Sequence, residues 1–199
     1  QTNNYKNKIA AFASWDVFPY IINDKRSGIP VNAGYMQEFN IKTPIVDYIN
    51  KNQIRTPVIW ENVRLDVYTH NLALEYIKKK RPKLVYIAYG ETDDFAHGGK
   101  YDFYINSLNY TDNMIAELWG YVQSNKFYKD NTYFIITTDH GRGLMEDWSG
   151  HGTSQASWLA ILGPNIEKTG LVEGEFFTNQ IAETIMQISK KSKTKIPTD

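Results

Sequence analysis

Four short apolar runs punctuate the chain: Ile9 to Ser14 (IAAFAS), Leu84 to Tyr89 (LVYIAY), Tyr133 to Thr137 (YFIIT) and Trp158 to Leu162 (WLAIL). They are continuous and rich in β-branched and aromatic residues, so they read as strands buried on both faces. Between them the period changes to that of helices. Asp66 to Lys80 sets Leu72, Tyr76 and Ile77 on one face and stops at Arg81-Pro82, where the proline ring disfavours another turn. Tyr101 to Ser124 places Tyr104, Ile105, Leu108, Ile115, Leu118, Trp119 and Val122 near a 3.6-residue period, which predicts a long amphipathic helix lying on a sheet. Glu175 to Ser189 offers Ile181, Ile185 and Ile188 in the same way. Asn23 to Thr43, with its glycines, Pro30 and Asn32, is predicted to be a long surface connection.

Strands alternating with helices predict an α/β fold, a mostly parallel β-sheet with helices on both faces. The 199 residues, 42% of them hydrophobic, suffice for one domain over 1–199 with a sizeable core, and no repeat or linker divides it. Twenty-two basic residues balance twenty-two acidic ones, so neither nucleic acid nor an anionic membrane is an expected partner. The basic cluster Lys190 to Lys195 (KKSKTK) reads as a solvated tail. No apolar run approaches the roughly 20 residues of a membrane helix, and the start QTNNYKNK lacks a signal-peptide core and does not look like a natural beginning. A signal peptide on a longer precursor would make the protein periplasmic or secreted.

Parallel sheets of this kind gather ligands beyond the carboxyl ends of their strands. That is where charge concentrates: Glu91, Asp93, Asp94 and His97 follow one run, and Asp139, His140 and Arg142 follow another. With no cysteine in the chain, a metal must be held by carboxylate and imidazole, which narrows the search to four histidines. Asp93 and His97 stand four apart, so they converge on one ion if the segment turns into a helix start; otherwise Asp93 is an N-capping residue. In TTDHGRG, Asp139 and His140 are either joint ligands, permitted by the chain turning out at Gly141 and Gly143, or parts of a polar turn. His151 in WSGHGTS lies between glycines that allow close approach to an ion, and His70, inside a helix, reads as structural. So many donors exceed the four positions of one tetrahedral ion, which suggests two neighbouring ions. Nitrogen and oxygen donors suit zinc, with manganese as the alternative.

Aspartate with histidine four residues on, then Asp-His-Gly after a strand, then a further histidine, resembles the C-terminal metal signature of the alkaline phosphatase superfamily. The strings GETDDFAH and TTDHGRG are also similar to bacterial phosphoglyceromutase-like proteins. The resemblance implies one ion on Asp93, His97 and His151 and another on Asp139 and His140. It further implies a phosphate-ester substrate, attacked by a hydroxyl nucleophile in hydrolysis or in mutase-type phosphoryl transfer. Glu91 and Asp94 would then orient ligands, and Arg142 would contact substrate. Such enzymes bear an aspartate and a serine or threonine after their first strand. Asp16 and Thr43 are the candidates here, but the chain is expected to be the C-terminal part of a longer protein that carries the nucleophile elsewhere. The rival expectation is a non-catalytic fragment holding a structural ion or none.

Overall fold

The structure is a computed structural model, describing residues 5–37, 39, 41–152, 155–167 and 170–191. In chain order the elements are β1 (Ile9–Ala13), α1 (Phe18–Ile22), α2 (Asp24–Ser27), β2 (Val31–Ala33), α3 (Pro44–Gln53), α4 (Asp66–Lys80) and β3 (Leu84–Ala88). Then come α5 (Glu91–His97), α6 (Tyr101–Ser124), β4 (Phe134–Thr137), a 3-10 turn (Met145–Asp147), β5 (Leu159–Leu162) and α7 (Asn179–Lys191).

The fold is α/β, organised around a parallel three-stranded sheet in the order β2-β1-β3. Alternation along the central strand explains its two coats. Ala10 and Phe12 point into one cluster with Val46 and Ile49 of α3 and Leu72, Ala73 and Tyr76 of α4. Ala11 and Ala13 point the other way, against Val31 and Ala33 of β2 and Phe18 and Ile22 of α1. Small side chains let the helices approach, and Phe12 fills the larger side, its ring 4.9 Å from Phe39 and 5.4 Å from Tyr76. A further cluster joins α4 to α6 through Leu74, Ile77, Leu118 and Val122. No helix among the described residues is long and apolar enough to cross a membrane.

Three predicted features change. The Asn23–Thr43 connection contains α2 and the buried strand β2, whose VNA sequence hides the apolar signal because Asn32 lies 1% exposed in its middle. Its amide nitrogen donates to the Met36 carbonyl at 3.2 Å. The runs at β4 and β5 pair with each other, antiparallel, as a separate two-stranded sheet. Among the described residues between them there is only a 3-10 turn, without the crossover helix that parallel pairing calls for. The last helix begins at Asn179 rather than Glu175, and most of the KKSKTK cluster lies outside the described residues.

His70 is a core residue of α4, 1% exposed. Its Nδ1 lies 2.9 Å from the Tyr89 hydroxyl and its Nε2 3.0 Å from Glu117 Oε2. A carboxylate only accepts, so Nε2 carries the proton and Tyr89 donates to Nδ1. Burial holds the imidazole pKa below its ordinary 6.5; Glu117 opposes the shift and Lys78 adds to it. A base whose folded pKa is lowered leaves stability untouched above 6.5 and removes it as pH falls below that value, because the unfolded chain takes the proton first. Urea unfolding at pH 7.5 and 5.5 should therefore show a larger acid loss for wild type than for His70→Gln. Equal losses would remove His70 as the cause.

Candidate metal centre

The two halves of the site leave the sheets at different strands. Past β3, Gly90 opens α5, where Asp93 and His97 share a face one turn apart. Past β4, Asp139 and His140 leave the strand, and the chain returns to deliver His151. Trp148 anchors this return on α6, its ring 5.3 Å from Tyr101 and 5.8 Å from Tyr104. Gly143 is needed for the turn, since a Cβ there would sit 2.2 Å from the Asp147 carbonyl oxygen. Arg142 ties the loop to α5, donating to the Asp93 carboxylate, to the Asp93 carbonyl at 3.1 Å and to the Ser149 carbonyl at 3.4 Å.

The donor atoms converge. One atom each from Asp93, His140 and His151 lies within 4.8 Å of the others. His140 Nε2 is 3.6 Å and His151 Nε2 3.9 Å from Asp93 Oδ1, while His97 Nε2 is 3.4 Å from Asp93 Oδ2 and 2.9 Å from His151 Nε2. Ligands about 2.0–2.1 Å from a tetrahedral ion lie roughly 3.3 Å apart along each edge, so these separations suit one zinc-sized ion. The tautomer of His140 suits it as well. His140 Nδ1 is 2.8 Å from the Gly141 carbonyl, which must accept, leaving the Nε2 lone pair free towards Asp93.

His140 stands between the two halves of the implied partition, its Nε2 as near the Asp139 carboxylate as that of Asp93, and it also groups with His151. The Asp139 side chain is 89% exposed; its Oδ1 accepts from the His140 amide at 3.0 Å and its Oδ2 is 3.7 Å from His140 Nε2. Glu91, expected to orient a histidine, faces Asp66 instead, its Oε1 accepting from the Asp66 amide at 2.6 Å. Asp94 stays near the cluster. Burial raises its carboxyl to about 6, the Asp93 charge adds to this, and His97 and Arg142 oppose it. Thr43, the candidate nucleophile, is the N-cap of α3, accepting from Val46 N at 3.2 Å and lying 3.4 Å from Glu75 Oε2. Glu75 is nine residues along α4 from Asp66, about 13 Å at 1.5 Å per residue, so Thr43 belongs to the far end of that helix. Asp16 is exposed beyond β1, its Cβ against Gly34 at the β2 side of the sheet.

Sequence reasoning missed the support beneath α5. Asp66, 2% exposed, accepts from Gly90 N at 2.8 Å and Glu91 N at 3.0 Å. Fully buried Arg64 donates through Nε to Thr69 Oγ1 at 2.8 Å, and Thr69 Oγ1 lies 2.8 Å from Ser14 Oγ, which donates to Asp66. Because guanidinium only donates, the direction of this relay is fixed from Arg64 to Asp66. The available signal was a polar residue closing the strand run at Ser14 in FAS, and charges alternating with apolar residues at the start of a helix, Arg64 and Asp66 in NVRLD.

Gly143→Ala should weaken zinc binding by about tenfold, since a supporting contact displaced from a metal site typically costs 10–100-fold. Calorimetric titration checks this, and an unaltered Kd would show that the turn does not hold His151 in place.

A carboxylate and imidazoles gathered at the strand ends of an α/β scaffold describe a metalloenzyme. The model of the Metalloenzyme superfamily matches residues 31–192, and the chain belongs to that superfamily. The match runs from β2 into the last residues described and takes in every donor named above. A search among curated proteins found no match. Membership implies a metal cofactor and a metal-dependent enzymatic role of the alkaline phosphatase-like kind.

Proposed function

We propose that this chain supplies the metal-holding part of a phosphate-ester hydrolase or phosphotransferase that works through two divalent ions. The observation that carries the reading is the approach of His97, His140 and His151 to the Asp93 carboxylate at 3.4 to 3.9 Å, with His97 and His151 2.9 Å apart. Asp93, His140 and His151 hold the first ion, with His97 as the adjoining fourth donor. Asp139, exposed and free to reach outward, serves the second ion together with residues of the remainder of the protein, which also brings the nucleophilic hydroxyl. The ions, zinc or alternatively manganese, would lower the pKa of that hydroxyl and neutralise charge on the phosphoryl oxygens. Arg142 offers its planar fork to a phosphoryl oxygen. Hydrolysis and mutase-type transfer use the same donors and differ in the acceptor.

A second reading has its own support. Arg142 already neutralises Asp93, and none of the donors is a hydroxyl, as would suit a non-catalytic module with one structural ion. Zinc titration of this chain and turnover by the full-length protein separate the two. One tight ion in the chain, with metal-dependent cleavage of p-nitrophenyl phosphate by the full-length protein and little by the chain alone, is expected. A full-length protein that binds zinc yet cleaves no phosphomonoester, diester or phosphoglycerate would favour the structural ion.

A further inference from the structure

Asp66 lies outside the donor set yet touches the element that carries half of it. We infer that Asp66 is a positioning residue of the metal centre, fixing α5 through the Gly90 and Glu91 amides and so the placement of Asp93 and His97. The inference rests on the metal reading above and adds the residue that sets its geometry.

The contact is a two-way clasp. Asp66 accepts from Gly90 N at 2.8 Å and Glu91 N at 3.0 Å, while the Glu91 carboxylate accepts from Asp66 N at 2.6 Å. Each helix start thus receives a carboxylate from the other, satisfying amides that have no partner within their own helix. α5 has only seven residues and cannot hold its own position by internal hydrogen bonds. Behind the clasp, Asp66 is fixed by the relay from Arg64 through Thr69 and Ser14, all three at most 2% exposed. The joint is also tight in space: a Cβ at Gly90 would lie 2.9 Å from Val63 Cγ1 and 3.4 Å from Ser14 Cβ. Asp93 is the second residue after Glu91 and His97 follows one turn later, so tilting the start of α5 moves both donors together.

Asp66→Asn tests this, because the two N–H groups bond different carboxylate oxygens and asparagine replaces one of these acceptors with a donor. The purified chain is titrated with Co2+, whose visible absorption bands report ligand geometry. The expected result is a folded variant with Co2+ affinity lower by roughly 10–100-fold and altered bands. Leu72→Ala is the control: it opens a cavity in the core beneath α4 and lowers thermal stability but leaves both amide contacts and the relay, so it should bind Co2+ as wild type does. Wild-type affinity and bands in Asp66→Asn, or equal Co2+ losses in both variants, would overturn the positioning role alone. Should Asp66→Asn not fold, amide exchange in the wild-type chain decides instead. With free Zn2+ at 100 times Kd, the Gly90 and Glu91 amides should slow by roughly 100-fold, since metal opposes the opening of α5. Unchanged exchange there would refute the coupling. A wild-type chain that takes up no Co2+ would remove the metal reading, and this inference with it.

Discussion

Asp93→Asn is expected to lower the zinc affinity of the chain by more than about 100-fold, beyond the 10–100-fold typical of losing a supporting residue. Asp93 is the hub of the site: Oδ1 faces His140 at 3.6 Å and His151 at 3.9 Å, Oδ2 faces His97 at 3.4 Å, and Arg142 bonds the same carboxylate. Asparagine removes the charge and one acceptor, leaving imidazoles beside an uncompensated guanidinium. The fold should hardly notice. Asp93 is 43% exposed, and an ion pair so open to solvent contributes about 1 kcal/mol at most. Calorimetric zinc titration alongside urea unfolding checks both halves, and a Kd within tenfold of wild type would remove Asp93 from the site.

The reverse pattern is expected at Arg64. Its alanine variant should lose about 3–5 kcal/mol of stability, because one partner of a buried charged network is removed and the other stays. That is a large part of the 5–15 kcal/mol that usually holds a domain folded. Arg64 is fully buried, and its guanidinium reaches Thr69 Oγ1 at 2.8 Å and the Asn32 carbonyl at 3.3 Å. The buried charge left without its counterpart is Asp66, which keeps its own three donors; burial raises its carboxyl to about 7, the Glu91 charge adds to the rise, and Ser14 and the Gly90 and Glu91 amides oppose it. A carboxyl whose folded pKa is raised binds its proton more tightly in the folded chain, so stability falls as pH rises from its ordinary 3.8 through about 7. Losing the Arg64 charge extends that fall to higher pH. The Arg64→Ala deficit should therefore be largest above pH 7 and shrink towards pH 6, as urea unfolding at pH 8 and pH 6 would show. A deficit independent of pH would mean that lost packing, not charge, accounts for it.

Much of the scaffold could be read along the chain because its signals are local. β1 and β3 are unbroken apolar runs, α4 ends where Arg81-Pro82 stops it, and α6 keeps its period over 24 residues. The charge past β3 was legible for the same reason, since ligands gather beyond the strand ends of a parallel sheet, but its meeting with Asp139 and His140 was not, because β4 lies in the separate antiparallel pair. What escaped depends on pairing over distance. Nothing local in YFIIT and WLAIL tells an antiparallel pair from two members of a parallel sheet, and β2 is three residues long with an asparagine at its centre. Arg64 and Asp66 look like surface charges until the fold buries both and links them through Thr69 and Ser14. The turning of Glu91 to Asp66, and of His140 to Asp93, depends on how α4, α5 and the loop after β4 sit against one another. That relation is not written in any one segment.

The most direct measurement is an anomalous difference map at the zinc edge from crystals of this chain grown with zinc. The expected result is one strong peak about 2.0–2.2 Å from a carboxylate oxygen of Asp93 and from the Nε2 atoms of His140 and His151, with His97 beside it. A peak held elsewhere, with these four side chains free of metal, would contradict the assignment of the site.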